Sequence, residues 1–573
     1  MTRTRVDTPT DETTTDARSA PVAGSRGQVL PTEKTAHQHT LPPSMARMGE
    51  RTQLAPAAGI DLPAILAQLT KPLVPTLKKI RYRRHGPRDH NPSDILLPSG
   101  YAAEVVATGL STPVACCFDD AGACYVIEGG HKVGWAPRIV EVDTRTGRQE
   151  VFFTWPDERW NRTGAVTGAT WHDGALYVCN TDTVSRIDAN GQIDDIVTGL
   201  PGRGDHQVNQ PTFGPDGKLY FAVGTATNSG VVGPDNAAYE WLPDHPTEHD
   251  VPARDVTLAG TNFPSHDVLG DQTKTVRTGA FVAYGTETAP GQVIRGKTKS
   301  TALLRCNPDG SNLEVVAWGL RNPYGIDFHP DGRLFVTEHG MDDRNRHVIG
   351  DYDDFYEIVE GAWYGWPDFA SGIRLDDPRW GEGGRGREPV LATHPDPDPP
   401  KPFVTFAPHA AANGFAFSRS PKFGFHGDAF VALFGDLAPV TTARLTTPVG
   451  YKVVRVDMKN RIVVDFAVNK IEGPASKLPH SGFERPSDCE FGPDGALYVT
   501  DWGEIDIAPE AGGVRMQAGT GTLWRIRRTT GPVDSRPPKP ATFPFYLAQL
   551  ATWIGVPIAF AAGLAALIRR RRR

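Results

Sequence analysis

Residues 213–221 read FGPDGKLYF: an aromatic residue, a Pro-Asp-Gly turn, a basic residue and an alternating apolar strand. Proline presets φ for the first corner of a tight turn, and glycine accepts the positive φ of the last. The residues that follow alternate as a half-buried strand does. Variants of the same unit recur as FDDAGACYV from Phe118, WHDGALYV from Trp171, FHPDGRLFV from Phe328, FHGDAFVALF from Phe425 and FGPDGALYV from Phe491. Companion hairpins follow them, among them PRIVEVDTRTGRQEVFF, VSRIDANGQIDDIV and YKVVRVDMKNRIVVDF. A unit of about four strands repeated at spacings from about 40 residues upward marks a β-propeller. Six units predict an all-β, six-bladed propeller over residues 96–530; the GH…WD pattern of the rival WD40 class does not occur.

The third and fourth units lie 115 residues apart, which places a long insertion at about 225–300. Loops of that length at a propeller mouth either line a pocket or are excursions without function. The flanks of the propeller differ in composition. Residues 1–95 are rich in Thr, Pro, Ala and charge and predict a mostly disordered arm. A Pro-rich linker, 531–545, precedes 23 uncharged residues, Tyr546–Ile568, and five arginines, 569–573. That pattern predicts a single C-terminal transmembrane helix with a cytoplasmic basic tail. The rule of positive charge inside would put the propeller in the periplasm or outside the cell, although the N-terminus shows no export signal.

The net charge of −7, from 60 basic and 67 acidic residues, carries no footprint for nucleic acid. Six cysteines show neither metal spacing nor a haem motif and are expected as buried thiols, with a disulfide among Cys116, Cys117 and Cys124 as the alternative.

Chemistry is sought where the units begin, because a propeller gathers those loops around one axis. GDHQVNQPTFGPDG puts His206, a candidate base, before the third unit, with Asp205 beside it to orient the imidazole or to raise its basicity. WGLRNPYGIDFHPDG puts Arg321 and Asn322 before the fourth, and GFERPSDCEFGPDG puts Arg485 before the sixth. Arginine suits an anionic ligand. After the fourth unit, Asp342, Asp343, Asp351, Asp353 and Asp354 form an acidic loop able to hold a hard cation, though without EF-hand spacing.

GDHQVNQPTFGPDGKLYFAVG, WGLRNPYGIDFHPDGRLFVTEHG and WYGWPDF together resemble the glucose/sorbosone dehydrogenase family, over roughly residues 96–527. The resemblance implies a quinoprotein that oxidises a sugar or polyol with pyrroloquinoline quinone (PQQ) and Ca²⁺ and passes electrons to an unidentified acceptor. It implies His206 as general base with Asp205 beside it, and Arg321, Asn322 and Arg485 as cofactor contacts. The backbone carbonyls of Gly340 and Met341 would be calcium ligands; within the acidic loop, Asp353 and Asp354 are, independently of the resemblance, the candidate for a second metal site. The sequence departs from the family at Thr163, Asp436 and Ser487, which stand where a glutamine, a lysine and an arginine occur. Two other functions share the fold class: a metal-dependent hydrolase of the lactonase type and a non-catalytic binding platform.

Overall fold

The structure, a computed structural model, describes residues 88–129, 135–156, 165–346, 348–381, 385–442, 445, 447–508, 513–531 and 534–540. These residues lie in one compact unit, Lys78–Arg573. Six antiparallel sheets form the blades, five of four strands and one, the fifth blade's, of five. Their first strands are Pro113–Phe118, Val166–His172, Thr212–Phe213, Pro323–Phe328, Ala412–Phe417 and Pro486–Phe491. Each recurring unit is the connection from a blade's first strand to its second.

The turn chemistry explains the repetition. The Asp216 carboxylate accepts the Lys218 N–H at 3.1 Å and the Tyr220 hydroxyl at 2.9 Å. Asp494 repeats this with the Ala496 N–H at 3.1 Å and the Tyr498 hydroxyl at 3.0 Å. The aspartate thus closes the turn and pins the strand after it, while Gly217 and Gly495 take φ of 72° and 76°.

The last blade is completed from both chain ends: Tyr101–Leu110 pairs with Gly521–Arg528 as its outer strand. Ordered structure begins earlier than 96. Ile95–Leu96 pairs with Ile462–Asn469, and Arg88 donates to the Asp501 carboxylate at 2.9 Å, so the end of the expected arm is packed on the propeller. Phenylalanines fill the seam between the fourth and fifth blades, where Phe335, Phe355, Phe415 and Phe417 are all buried.

The insertion lies between Leu219–Ala222 and Ala302–Cys306 of the third blade. It carries the short helix Pro234–Ala238 and two two-stranded sheets, Val256–Thr257 with Val293–Ile294 and Phe263–His266 with Thr275–Thr278. A second addition, unanticipated from sequence, is the hairpin Ile505–Ala508 and Gly513–Met516 in the sixth blade. All six cysteines are free and buried, without the alternative disulfide. Among the described residues no helix is long and apolar enough to cross a membrane; the segment 546–568 and Thr163 lie outside them.

Candidate active site

A cavity of about 270 Å³ opens among the blades, lined by residues from all six. His206 lines it, in the loop that leads to the first strand of the third blade. That loop is held close to the second strand's continuation: a Cβ at Gly224 would stand 2.4 Å from the His206 Cβ, so only glycine fits there. The imidazole Nδ1 lies 2.8 Å from the Thr225 carbonyl oxygen. A carbonyl can only accept, so Nδ1 carries the proton and Nε2 keeps its lone pair. Burial, and next the Arg321 guanidinium, push the His206 pKa down to about 3, which keeps the ring neutral at physiological pH.

Asp205 does not hydrogen-bond that imidazole and so does not orient it, but its charge opposes the fall in the His206 pKa, the other role expected of it. Its carboxylate accepts the Trp241 indole N–H at 2.7 Å and the Asn236 amide at 3.1 Å, both from the insertion, and pairs with Arg344 at 2.5 Å. Burial alone would raise its pKa, but Arg344 holds it below the usual carboxylate range. Arg344 also contacts Asp235 at 2.6 Å and Asp342 at 3.0 Å and lies 4.0 Å from the centre of the Tyr239 ring. Backbone carbonyl and carboxylate have exchanged duties: Thr225 sets the tautomer, and Asp205 ties the histidine loop to the insertion.

Arg321 and Asn322 line the cavity as expected. Arg321 donates to the Asn228 side-chain oxygen at 2.9 Å and to the His339 carbonyl at 3.3 Å, with a longer contact to Asp342 at 3.4 Å. Asn322 accepts from the Asn209 amide at 2.8 Å and donates to the His339 Nδ1 at 2.9 Å. Arg485 does not reach the cavity wall. Its guanidinium donates to the Gly435 and Asp436 carbonyls, each at 3.0 Å, with Phe434 and Tyr451 alongside, and Phe434 faces the cavity in its place.

The expected calcium carbonyls sit on fixed peptides. The Met341 N–H donates to Asp351 at 2.8 Å, which orients the Gly340 carbonyl. The Asp342 N–H donates to Asn228 at 2.9 Å, which orients that of Met341. The acidic loop is mostly spent on ion pairs and hydrogen bonds: Asp342 on Arg344 and Arg321, Asp343 on Thr442 and His409. Asp353 and Asp354 do not converge, because neighbours on a strand face opposite sides. Asp353 lines the central cavity, whereas Asp354 lines a separate void of about 20 Å³ with Asp351 and Glu338. Burial pushes Glu338 up to about 8 and Asp351 up to about 6. Among the described residues, no group of three His, Cys, Asp or Glu side chains, these acids included, is arranged to hold a metal ion.

Two of the departures, Asp436 and Ser487, have structural roles. Asp436 accepts the Ala438 and Val449 N–H groups at 3.2 and 3.0 Å. The Ser487 hydroxyl donates to the Pro113 carbonyl at 2.7 Å, joining the sixth blade to the first. Sequence reasoning missed Arg344, Tyr239, His339 and Trp502, all on the cavity wall. The "DDRNR" run around Arg344, a guanidinium beside two carboxylates, was the one legible signal.

Residues 270–501 match the family model described as Glucose / Sorbosone dehydrogenase. The chain resembles that family. The match falls short of half the chain and includes Arg321, Asn322, Gly340, Met341 and Arg485 but not His206. A curated relative, quinoprotein glucose dehydrogenase B of Acinetobacter calcoaceticus, is 26% identical over 182 residues, 31% of this chain and 29% of that protein. Solved structures with similar folds include the holo PQQ domain of pyranose dehydrogenase from Coprinopsis cinerea. It is 16% identical, with 77% of this chain and 98% of that one covered and a TM-score of 0.47. The PQQ-bound aldose sugar dehydrogenase of Streptomyces coelicolor is 17% identical, covering 75% and 99%, with a TM-score of 0.43.

Proposed function

We propose that this glucose/sorbosone dehydrogenase-like chain is a quinoprotein oxidoreductase that removes a hydride from a carbinol carbon of a sugar or polyol, with His206 as the base. The observation that carries the reading is the tautomer of His206: a neutral ring on the cavity wall, with Nδ1–H held by Thr225 and Nε2 left to take a proton. The hydroxyl of the substrate gives its proton to Nε2 as its carbon becomes a carbonyl. The depressed pKa makes His206 a weak base by itself; an anionic ligand beside it would oppose the Arg321 charge and raise its basicity.

A tricarboxylate quinone needs cationic and hydrogen-bonding partners in a buried site. Arg321 fits this need in part, since its contact with Asp342 is long and can be exchanged for a ligand carboxylate. Asn322 lies on the same wall. These two would hold PQQ, and a divalent cation at the Gly340 and Met341 carbonyls would balance charge that Arg485, Asp436 and Ser487 do not. When bound, the quinone accepts the hydride and the cation polarises it. Tyr239 and Ala238 of the insertion form part of the wall, so the insertion shapes the pocket rather than decorating the surface.

The segment 546–568 is part of the same proposal, as an anchor that holds the enzyme at a membrane, with the propeller on the side opposite the arginines. Recovery of the full chain in the membrane fraction after an alkaline wash supports the anchor, and release into the supernatant opposes it. The test of the chemistry is turnover. Purified chain given PQQ and Ca²⁺ reduces an artificial electron acceptor when offered sugars or polyols, and His206→Ala lowers kcat by about 10²- to 10⁴-fold. Lactone hydrolysis without any quinone would instead favour a hydrolase.

A further inference from the structure

The cavity has two unlike walls. The third and fourth blades supply the polar one, around His206, Arg321 and Asn322. The fifth and sixth supply a mainly apolar one: Phe434, Leu437, Trp502, and Ile505, Val514 and Met516 of the added hairpin, with His409, Asn413 and Thr441 of the fifth blade as its polar members. Trp502 and Phe434 meet edge to face with ring centres 5.5 Å apart, and both belong with Ile505 to one buried cluster. The aliphatic members of this wall offer no hydrogen-bonding group. A free sugar carries a hydroxyl on nearly every carbon, and hydroxyls turned toward such a wall would lose water without replacement. An apolar substituent gains there, at about fourfold in affinity for each buried methylene.

Trp502 adds a second, independent constraint. It is 6% exposed, and its indole N–H is buried with no hydrogen-bond partner among the described residues. An indole N–H can only donate, and a buried donor without a partner is costly. A ligand that suits this wall therefore brings an acceptor oxygen within its apolar part. An ether oxygen between a sugar and an alkyl or aryl group is such an acceptor, and it has no hydrogen of its own to leave unsatisfied.

We propose that the substrate is a glycoside with an apolar aglycone. The hydroxyl-bearing ring faces His206, the aglycone lies on the wall of the fifth and sixth blades, and the glycosidic oxygen accepts from Trp502. A glycoside has no free anomeric hydroxyl, so the carbon that is oxidised is another carbinol of the sugar. It loses a hydride to the quinone and its hydroxyl proton to His206.

This inference rests on the oxidoreductase reading, and the experiment keeps the two apart by measuring binding and turnover separately. Isothermal titration calorimetry compares octyl β-glucoside, below its micelle concentration, with glucose on the full chain loaded with PQQ and Ca²⁺. The expected result is a preference for the glycoside of about 100-fold or more. Met516→Gln, a change at a half-buried hairpin position, reduces that preference by about tenfold. Trp502→Phe, which keeps the ring and removes the N–H, also weakens binding of the glycoside. His206→Ala retains the preference while losing turnover. Equal binding of the two sugars, binding of neither, or a preference indifferent to both wall variants overturns the inference. Preferential binding with no turnover under any quinone removes the oxidoreductase reading and leaves the ligand class standing. Oxidation of glucose without affinity for the glycoside does the reverse.

Discussion

His206 and Arg344 show how far single residues could be read from sequence and where that reading stopped. The histidine stood out through its place before a repeat, but its tautomer depends on the Thr225 carbonyl, and backbone direction is not legible in residue types. Its depressed pKa has a stability consequence. Between its ordinary value near 6.5 and about 3, the unfolded chain binds a proton that the native chain refuses. The contribution is complete above pH 6.5 and is lost as pH falls through that window, at up to about 1.4 kcal/mol per pH unit. Urea unfolding from pH 4 to 7 should show this slope in the native protein and a shallower one in His206→Asn; identical slopes would contradict the assignment.

Arg344 gives a dependence of the same sign, in a more acid window. Arg344→Met leaves Asp205, Asp235 and Asp342 without their shared guanidinium and should cost about 3–5 kcal/mol in stability. Asp205 is held below its ordinary range, so the benefit of the pair is present above about pH 4 and is lost as pH falls. The gap between variant and native protein in urea unfolding should therefore narrow toward acid pH.

At the scale of elements, the Pro-Asp-Gly turns were legible because their chemistry is local. Asp216 and Asp494 serve an amide two residues on and a tyrosine four residues on, all within one quoted stretch. Asp216→Ala and Asp494→Ala should each cost about 1 kcal/mol, and the double variant about the sum, since the turns belong to different blades. A chemical denaturation series on the three variants checks this, and strong coupling between the two would show the turns to be less independent than the repeat implies. The hairpin 505–516 and the position of Arg485 were not legible, because both depend on packing. Arg485 satisfies carbonyls behind Phe434, and no pattern in GFERPSDCEF tells an inward arginine from one that stitches two blades.

At the scale of the whole molecule, the blade count followed from counting turns, but closure of the ring did not. The outer strand of the last blade, Tyr101–Leu110, is the first long strand of the chain, and it covers the edge of Gly521–Arg528, which carries buried Trp524. A chain that starts at residue 88 should melt in one cooperative transition. One that starts at residue 113 should lose that transition or aggregate, because it exposes an unpaired strand edge. Circular dichroism melts of the two chains decide the matter.

In the proposed reading the polar wall binds an anionic quinone beside a neutral histidine base. The most direct test of this reading is a titration of PQQ into the calcium-loaded full chain, followed by quinone absorbance. The account predicts a saturable one-to-one shift that Arg321→Gln weakens at least about tenfold and His206→Ala retains. No shift in the native protein, or a shift indifferent to Arg321→Gln, would contradict it.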